Sequence, residues 1–169
     1  MDGSRERARA TEPLRDGALA VRPVIEADAD LLCAWHADPG VAPFWDHETY
    51  TREQMLAELA EPGLDPYVVE HDDEPIGYLQ AWFEGEDTGI DMFLVPAARG
   101  RGLGPAAARL LVRHLLAAGR DEVTVDPYTW NVRALAAWRH AGFRALEERA
   151  PDDDHVAPWL LMVFDPETL

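Results

Sequence analysis

The 169-residue chain carries 15 basic and 32 acidic side chains, a formal net charge of -17 and 47% hydrophobic residues, enough apolar material for one packed domain and too much for a disordered acidic tail. Every Lys/Arg-type base is arginine, which excludes the P-loop lysine, Schiff-base chemistry and lysine-based kinase signatures. The acidity disfavours nucleic acid and favours a cationic partner, the lone Cys33 excludes an intrachain disulfide and a cysteine-rich zinc site, and no apolar run approaches the roughly 18 residues of a membrane span or signal segment, so a cytoplasmic protein with no membrane contact is expected.

Residues 1–17 are polar, with Arg5, Arg7, Arg9 and Arg15 among acids and no periodic apolar pattern, which predicts a mobile N-terminal arm ahead of one domain over residues 18–169. Residues 19–24 read as a strand, and residues 26–35 place Leu31, Leu32 and Trp35 at helical spacing. Pro39, Gly40 and Pro43 make residues 38–46 a loop. Thr51 with Gln54 forms a capping-box pattern that opens a second helix, with Met55, Leu56 and Leu59 inward. Strands follow at 67–70, 76–83 and 90–95, the first two joined through a polar turn at 72–75. Residues 105–118 form a helix with Pro105 at its first position and Leu110, Leu111, Leu115 and Leu116 inward. A short strand at 123–125 precedes a helix capped by Asn131 and stopped by Gly142, and strands around 143–146 and 159–164 close the chain. The order is β-α-α-β-β-β-α-β-α-β-β, without internal repeats.

The most specific local feature is Arg99-Gly100-Arg101-Gly102-Leu103-Gly104-Pro105, between an apolar strand and a helix. Glycines let backbone N–H groups converge, and the helix N-terminus adds partial positive charge, so the segment suits a pyrophosphate. Gly102-x-Gly104-x-x-Ala107 with Asp126 downstream also fits a dinucleotide fingerprint locally. The context argues against it: a doubly wound domain needs further β-α-β units, and the chain offers one more helix and two short strands.

Arg99-x-x-Gly102-x-Gly104 resembles the acyl-CoA loop of the GNAT N-acetyltransferase superfamily, and Asn131-x-x-Ala134, followed by an aromatic at Trp138 and by Gly142-Phe143, resembles its second signature. Gly89-Ile90-Asp91, Val125-Asp126-Pro127, the segment 74–78 and the pair Phe44-Trp45 are similar to the aminoglycoside 6′-N-acetyltransferases within it. The resemblance implies an α/β fold of the α+β type, with a mixed, mostly antiparallel, V-shaped central sheet flanked by helices. It implies acetyl-CoA held by Phe93, Leu94 and Val95, by the loop from Arg99 through Gly100, Arg101, Gly102 and Leu103 to Gly104, and by Asn131, Ala134 and Trp138. It implies a cationic amine acceptor bound by Phe44, Trp45, Asp46, Trp82, Asp91 and Asp126, in a monomer or homodimer. Siderophore-precursor or peptide amines are the alternative acceptors, and a non-catalytic acyl-CoA sensor is the alternative outside enzymes.

Asp91 is a lone acid in a strand of Ile, Met, Phe, Leu and Val, a costly position without a task or partner. Asp91 or Asp126 is expected to take the acceptor's proton, directly or through water, while a strand N–H at Phe93 or Leu94 polarises the thioester carbonyl. Trp138 stands where the superfamily usually has a tyrosine acid; its indole cannot supply a proton at neutral pH, and it also reads as a core aromatic. Tyr128 is the nearest phenol. The acids at 84–87 and 152–154 read as solvated faces, and His36, His47 and His140 as surface or loop residues, with no metal spacing among the six histidines.

Overall fold

The computed structural model describes residues 8–169. Among the described residues, eight strands, β1 (Leu14–Asp16), β2 (Leu19–Pro23), β3 (Leu64–His71), β4 (Glu74–Glu84), β5 (Asp87–Leu94), β6 (Thr124–Val125), β7 (Phe143–Arg149) and β8 (Trp159–Phe164), form one sheet in the order β1-β2-β3-β4-β5-β6-β8-β7. Every neighbouring pair is antiparallel except β5 with β6. The mixed, mostly antiparallel sheet expected from the sequence is present, flanked by α1 (Ala29–Ala37), α2 (Arg52–Leu59), α3 (Leu103–Ala117) and α4 (Val132–Ala141).

Local chemistry sets the element ends. Thr51 and Gln54 cap each other's backbone N–H groups at the start of α2, at 3.2 and 2.9 Å. Asp72 and Asp73 both take positive φ in the two-residue loop between β3 and β4, the geometry that matches strand twist in a hairpin. Gly142 ends α4 at φ 109, a conformation that a side chain resists.

Alternation along β4 and β5 separates two faces. Leu79, Ala81, Phe83, Ile90 and Leu94 pack against Ala107, Leu111 and Leu115 of α3 in the larger core. Tyr78 and Phe93 point the other way, onto Leu32, Val41 and Met55 beneath α1 and α2. The pair α1 and α2 and the helix α3 therefore grip opposite faces of the same two strands.

The expected arm at 1–17 is corrected for residues 8–17. Leu14–Asp16 pairs with β2, Ala8 and Ala10 are buried, and the Ala10 N–H donates to the Tyr67 hydroxyl at 3.1 Å. Asp16-Gly17, with Gly17 at positive φ, is a hairpin signal, but the strand it closes has only three residues and carries one apolar side chain, too short for a period to show. The remainder of the predicted arm, residues 1–7, lies outside the described residues.

Candidate active site

Strands β5 and β6 run parallel but share a single pair, Gly89 with Thr124. Strand β6 ends one residue later, and Pro127 has no N–H with which to continue it. Strand β5 continues to Leu94, so its edge is released and the sheet opens as a V. Asp91 and Asp126 each stand two residues past the shared pair, at one level and on one face of the opening. A Cβ at Gly89 would overlap the Trp82 indole, so the glycine is what lets that ring lie across β5 beside the opening. Val95 donates its N–H to Ile76 at 2.9 Å, and alternation in an antiparallel ladder turns the Leu94 N–H the opposite way, into the V.

The V leads into a cleft of about 660 Å³ lined by the carboxylates of Asp46, Glu48, Glu58, Glu84, Asp91, Asp126, Asp152 and Asp154, with Arg149 the only arginine. Trp45, Trp82, Tyr78 and Tyr128 supply apolar wall. At the floor, the Tyr78 hydroxyl donates to Gln80 Oε1 at 2.7 Å, and Gln80 Nε2 donates to Asp91 Oδ2 at 3.0 Å. Burial and the facing Asp126 push the Asp91 carboxyl up to about 7, against the opposing pull of Gln80 and His155. A carboxylate poised there can take a proton at neutral pH.

Opposite Asp91, His155 Nε2 lies 2.9 Å from Asp126 Oδ2 and Nδ1 lies 2.8 Å from Asp152 Oδ1. The Tyr128 hydroxyl donates to Asp46 Oδ1 at 2.9 Å and accepts from the Val156 N–H at 3.3 Å, tying three loops together. Burial, then the bond to Asp46, pushes the Tyr128 phenol up to about 12, away from use as an acid near neutrality. Phe44 stacks obliquely on Trp130 at 5.8 Å at the rim.

The residues assigned to the cofactor fall into three groups. Gly100 and Gly102 take φ 76 and 75 with open space where a side chain would stand, and α3 begins without a side-chain cap, so the N–H groups of its first turn are free of one. Gly104 lies against Met92 and Leu94, where a Cβ would come within 3.3 Å of Met92, and thus brings the helix start close to β5. Leu103 packs onto the larger core beside Val95, while Arg101 is exposed. Arg99 donates from Nε to the Leu94 carbonyl at 3.0 Å and from Nη2 to the Gly40 carbonyl at 2.7 Å, so it braces the loop after α1 against the end of β5. Phe93 packs its ring against Trp35, His36, Trp45 and Tyr78, and its backbone pairs with Tyr78 of β4. Asn131 Oδ1 caps α4 by accepting from the Ala134 N–H at 3.1 Å, and Asn131, Ala134 and Trp138 all reach the cleft from the α4 side. Trp138 is also a buried aromatic, edge-on to Phe143 at 5.3 Å.

Two sequence expectations outside that set are corrected. His36 is buried in a cage of Trp45, Tyr50, Tyr78 and Phe93, with Nδ1 2.7 Å from the Leu32 carbonyl, and burial holds its imidazole below the ordinary range. Asp152 is no idle member of an acidic face but a partner of His155 and of the Trp159 indole N–H. Sequence reasoning also missed His155 and Gln80. Gln80 could have been found from register, since hairpin pairing sets it opposite Asp91; His155 could not, because loop geometry alone brings it to Asp126.

A model of the acetyltransferase (GNAT) domain family matches residues 24–150. The chain is 31% identical over 150 residues to aminoglycoside N(6′)-acetyltransferase type 1 of Klebsiella pneumoniae, covering 75% of this chain and 74% of that protein. Its fold superposes on AAC(6′)-Ib in complex with paromomycin and acetyl-CoA with a TM-score of 0.78 at 24% identity, covering 89% of this chain and 94% of the other. It superposes on spermidine N-acetyltransferase from Vibrio cholerae, in complex with CoA and spermine, with a TM-score of 0.76 at 12% identity, covering 88% and 96%. The split sheet, the glycine-lined start of α3 and the family match agree: the chain belongs to the GNAT acetyltransferase family.

Proposed function

We propose that this acetyltransferase transfers the acetyl group of acetyl-CoA to a primary amine of a polycationic amino sugar, the 6′-amine of an aminoglycoside. The observation that carries the reading is the placement of Asp91 and Asp126 at one level of the open V, at the floor of a cleft with eight carboxylates on its walls. Such a cleft attracts and orients a ligand with several ammonium groups. The likeness to aminoglycoside N(6′)-acetyltransferase type 1 supports the amino sugar over other cations.

Acetyl-CoA supplies an activated thioester whose acyl carbon accepts the amine and whose thiolate leaves. The start of α3 fits its pyrophosphate: uncapped N–H groups, positive-φ glycines and open space converge there. Asn131, Ala134 and Trp138 flank the path from α3 to the V and would line the pantetheine arm. Asp91 would take one proton of the incoming ammonium, freeing the nitrogen lone pair to form the C–N bond; as the C–S bond breaks, the nitrogen's second proton would pass to the departing thiolate, giving amide and free thiol. The Leu94 N–H, turned into the V, would donate to the thioester carbonyl oxygen on which negative charge develops. Asp126 and Asp46 hold ammonium groups of the acceptor, and Trp45, Trp82 and Phe44 shape the apolar sides of the sugar site.

Acetylation replaces an ammonium with a neutral amide, removing a charge that an aminoglycoside needs to bind a polyanion. Antibiotic resistance in the cytoplasm is the biological role that follows. The test is thiol release from acetyl-CoA by the purified chain, with aminoglycosides, spermidine, a hydroxamate-siderophore amine and a peptide α-amine compared in parallel. The expected order places aminoglycosides first, at kcat/KM of about 10⁴ M⁻¹s⁻¹ or above. Preference for any other amine overturns the acceptor, and CoA binding without turnover on all of them overturns the catalytic reading.

A further inference from the structure

His155 belongs to no signature and stands in the loop between β7 and β8, yet it joins the floor of the cleft to its rim. Its Nε2 is 2.9 Å from Asp126 Oδ2 and its Nδ1 is 2.8 Å from Asp152 Oδ1. A neutral imidazole has one donor and one lone pair, so it can satisfy only one of two ionised carboxylates; with both at hydrogen-bond distance, both nitrogens must donate and the ring must be an imidazolium. The ring is held from the side as well, stacked on Trp159 at 4.1 Å between centroids and 14° between planes, with its side chain 14% exposed. Asp152 is fixed as an anion, accepting from its own loop's N–H groups at Asp154 and His155 and from the Trp159 indole.

We infer that His155 is a positioning residue: its imidazolium holds the Asp126 carboxylate aimed across the V, and leaves Asp91 as the carboxylate that takes the acceptor's proton. This rests on the role proposed for Asp91. The groups that face His155 are Asp126 and Tyr128 from the segment after β6, Asp152 from its own loop, Asp91 from β5, and Arg149 from β7 across the Trp159 ring; Asp46 reaches it through Tyr128. Burial opposes the imidazolium, and the two carboxylates outweigh it, raising the His155 value above its ordinary range. The same cation pulls the Asp91 carboxyl down, against burial and the facing Asp126.

Two measurements test this. The first needs no substrate: imidazole C–H signals of the full chain are titrated by NMR, with His155 assigned from its loss in His155→Gln. The expected midpoint lies above about 6.5, the unperturbed value, and falls in Asp152→Asn. A midpoint at or below that value, or one indifferent to Asp152→Asn, overturns the inference whether or not an acceptor is known. The second is the pH dependence of kcat/KM on the best amine of the panel. Loss of the cation in His155→Gln should move the ascending limb toward higher pH by about 0.5–1, and Asp152→Asn should move it the same way by less. A merely structural role would lower turnover at every pH and leave the limb in place, and that result also overturns the inference; should His155→Gln fail to fold, the exposed-site variant Asp152→Asn carries both measurements.

Discussion

Asp91 and Asp126 face each other because each lies two residues beyond Gly89–Thr124, the one pair that joins β5 to β6. The sheet's single parallel junction thus sets both the V and the spacing of its carboxylates. Burial, and then the facing Asp126, push the Asp91 carboxyl up.

Activity should follow Asp91. The pH profile of kcat/KM is expected to rise through a limb near 7, where Asp91 becomes able to accept a proton. Asp91→Asn should lower turnover by at least about 10²-fold, the scale of a lost general base, with CoA affinity by calorimetry unchanged. Asp126→Asn should act mainly on acceptor KM.

Stability carries the opposite sign. The folded Asp91 value lies above the ordinary 3.8, so the folded state holds the extra proton between about 4 and 7 and stability falls as pH rises through that window. Asp91→Asn should therefore melt above the natural chain at pH 8, with the difference shrinking below pH 7 and gone below about 4. Thermal melts at pH 4, 6 and 8 check this, and a difference that grows toward acid pH would show that Asp91 is held as a stabilising anion.

Substitutions at Gly102 and Arg99 in the loop before α3 are expected to act on different properties. Gly102→Val forces a β-branched side chain into φ 75 and into the open space above the helix start, so CoA affinity should drop at least about tenfold in a chain that keeps its helical circular dichroism. Arg99→Ala should remove its hydrogen bonds to Leu94 and Gly40 and cost about 1–2 kcal/mol, a Tm fall of roughly 3–6 °C.

No side chain is needed to protonate the departing thiolate. A CoA thiol titrates near Cys, about 8.5, and is a fair leaving group, whereas transfer from a Tyr128 phenol raised to about 12 is uphill. Tyr128→Phe and Trp138→Phe should each reduce kcat by less than about tenfold. An alkaline limb that vanishes in Tyr128→Phe, with a far larger loss, would show that Tyr128 is the acid.

Much of this architecture was legible because it is local. Thr51 and Gln54, Asn131 and Gly142 mark helix ends through chemistry within a few residues, and the structure uses them there, whereas α3 begins at Leu103, two residues ahead of the start expected at Pro105. Asp91 stood out as an acid among apolar neighbours. What stayed hidden depends on contacts that no period records: β1 is too short to show alternation, the three-fold acidic run at 152–154 conceals the partner of His155, and nothing in the sequence ties Arg99 to Gly40, 59 positions away.

The central claim is acetyl transfer to the 6′-amine, and a matched pair of aminoglycosides, identical but for an amine or a hydroxyl at the 6′ carbon, tests it most directly. With purified chain and acetyl-CoA, the 6′-amine compound should be turned over with kcat/KM at least about 10³-fold above its hydroxyl partner, as expected when a site built for a cation loses it, and mass spectrometry should place one acetyl group on the 6′ ring. Equal turnover of the two compounds, or acetylation of the 6′-amine compound on another ring, would contradict it.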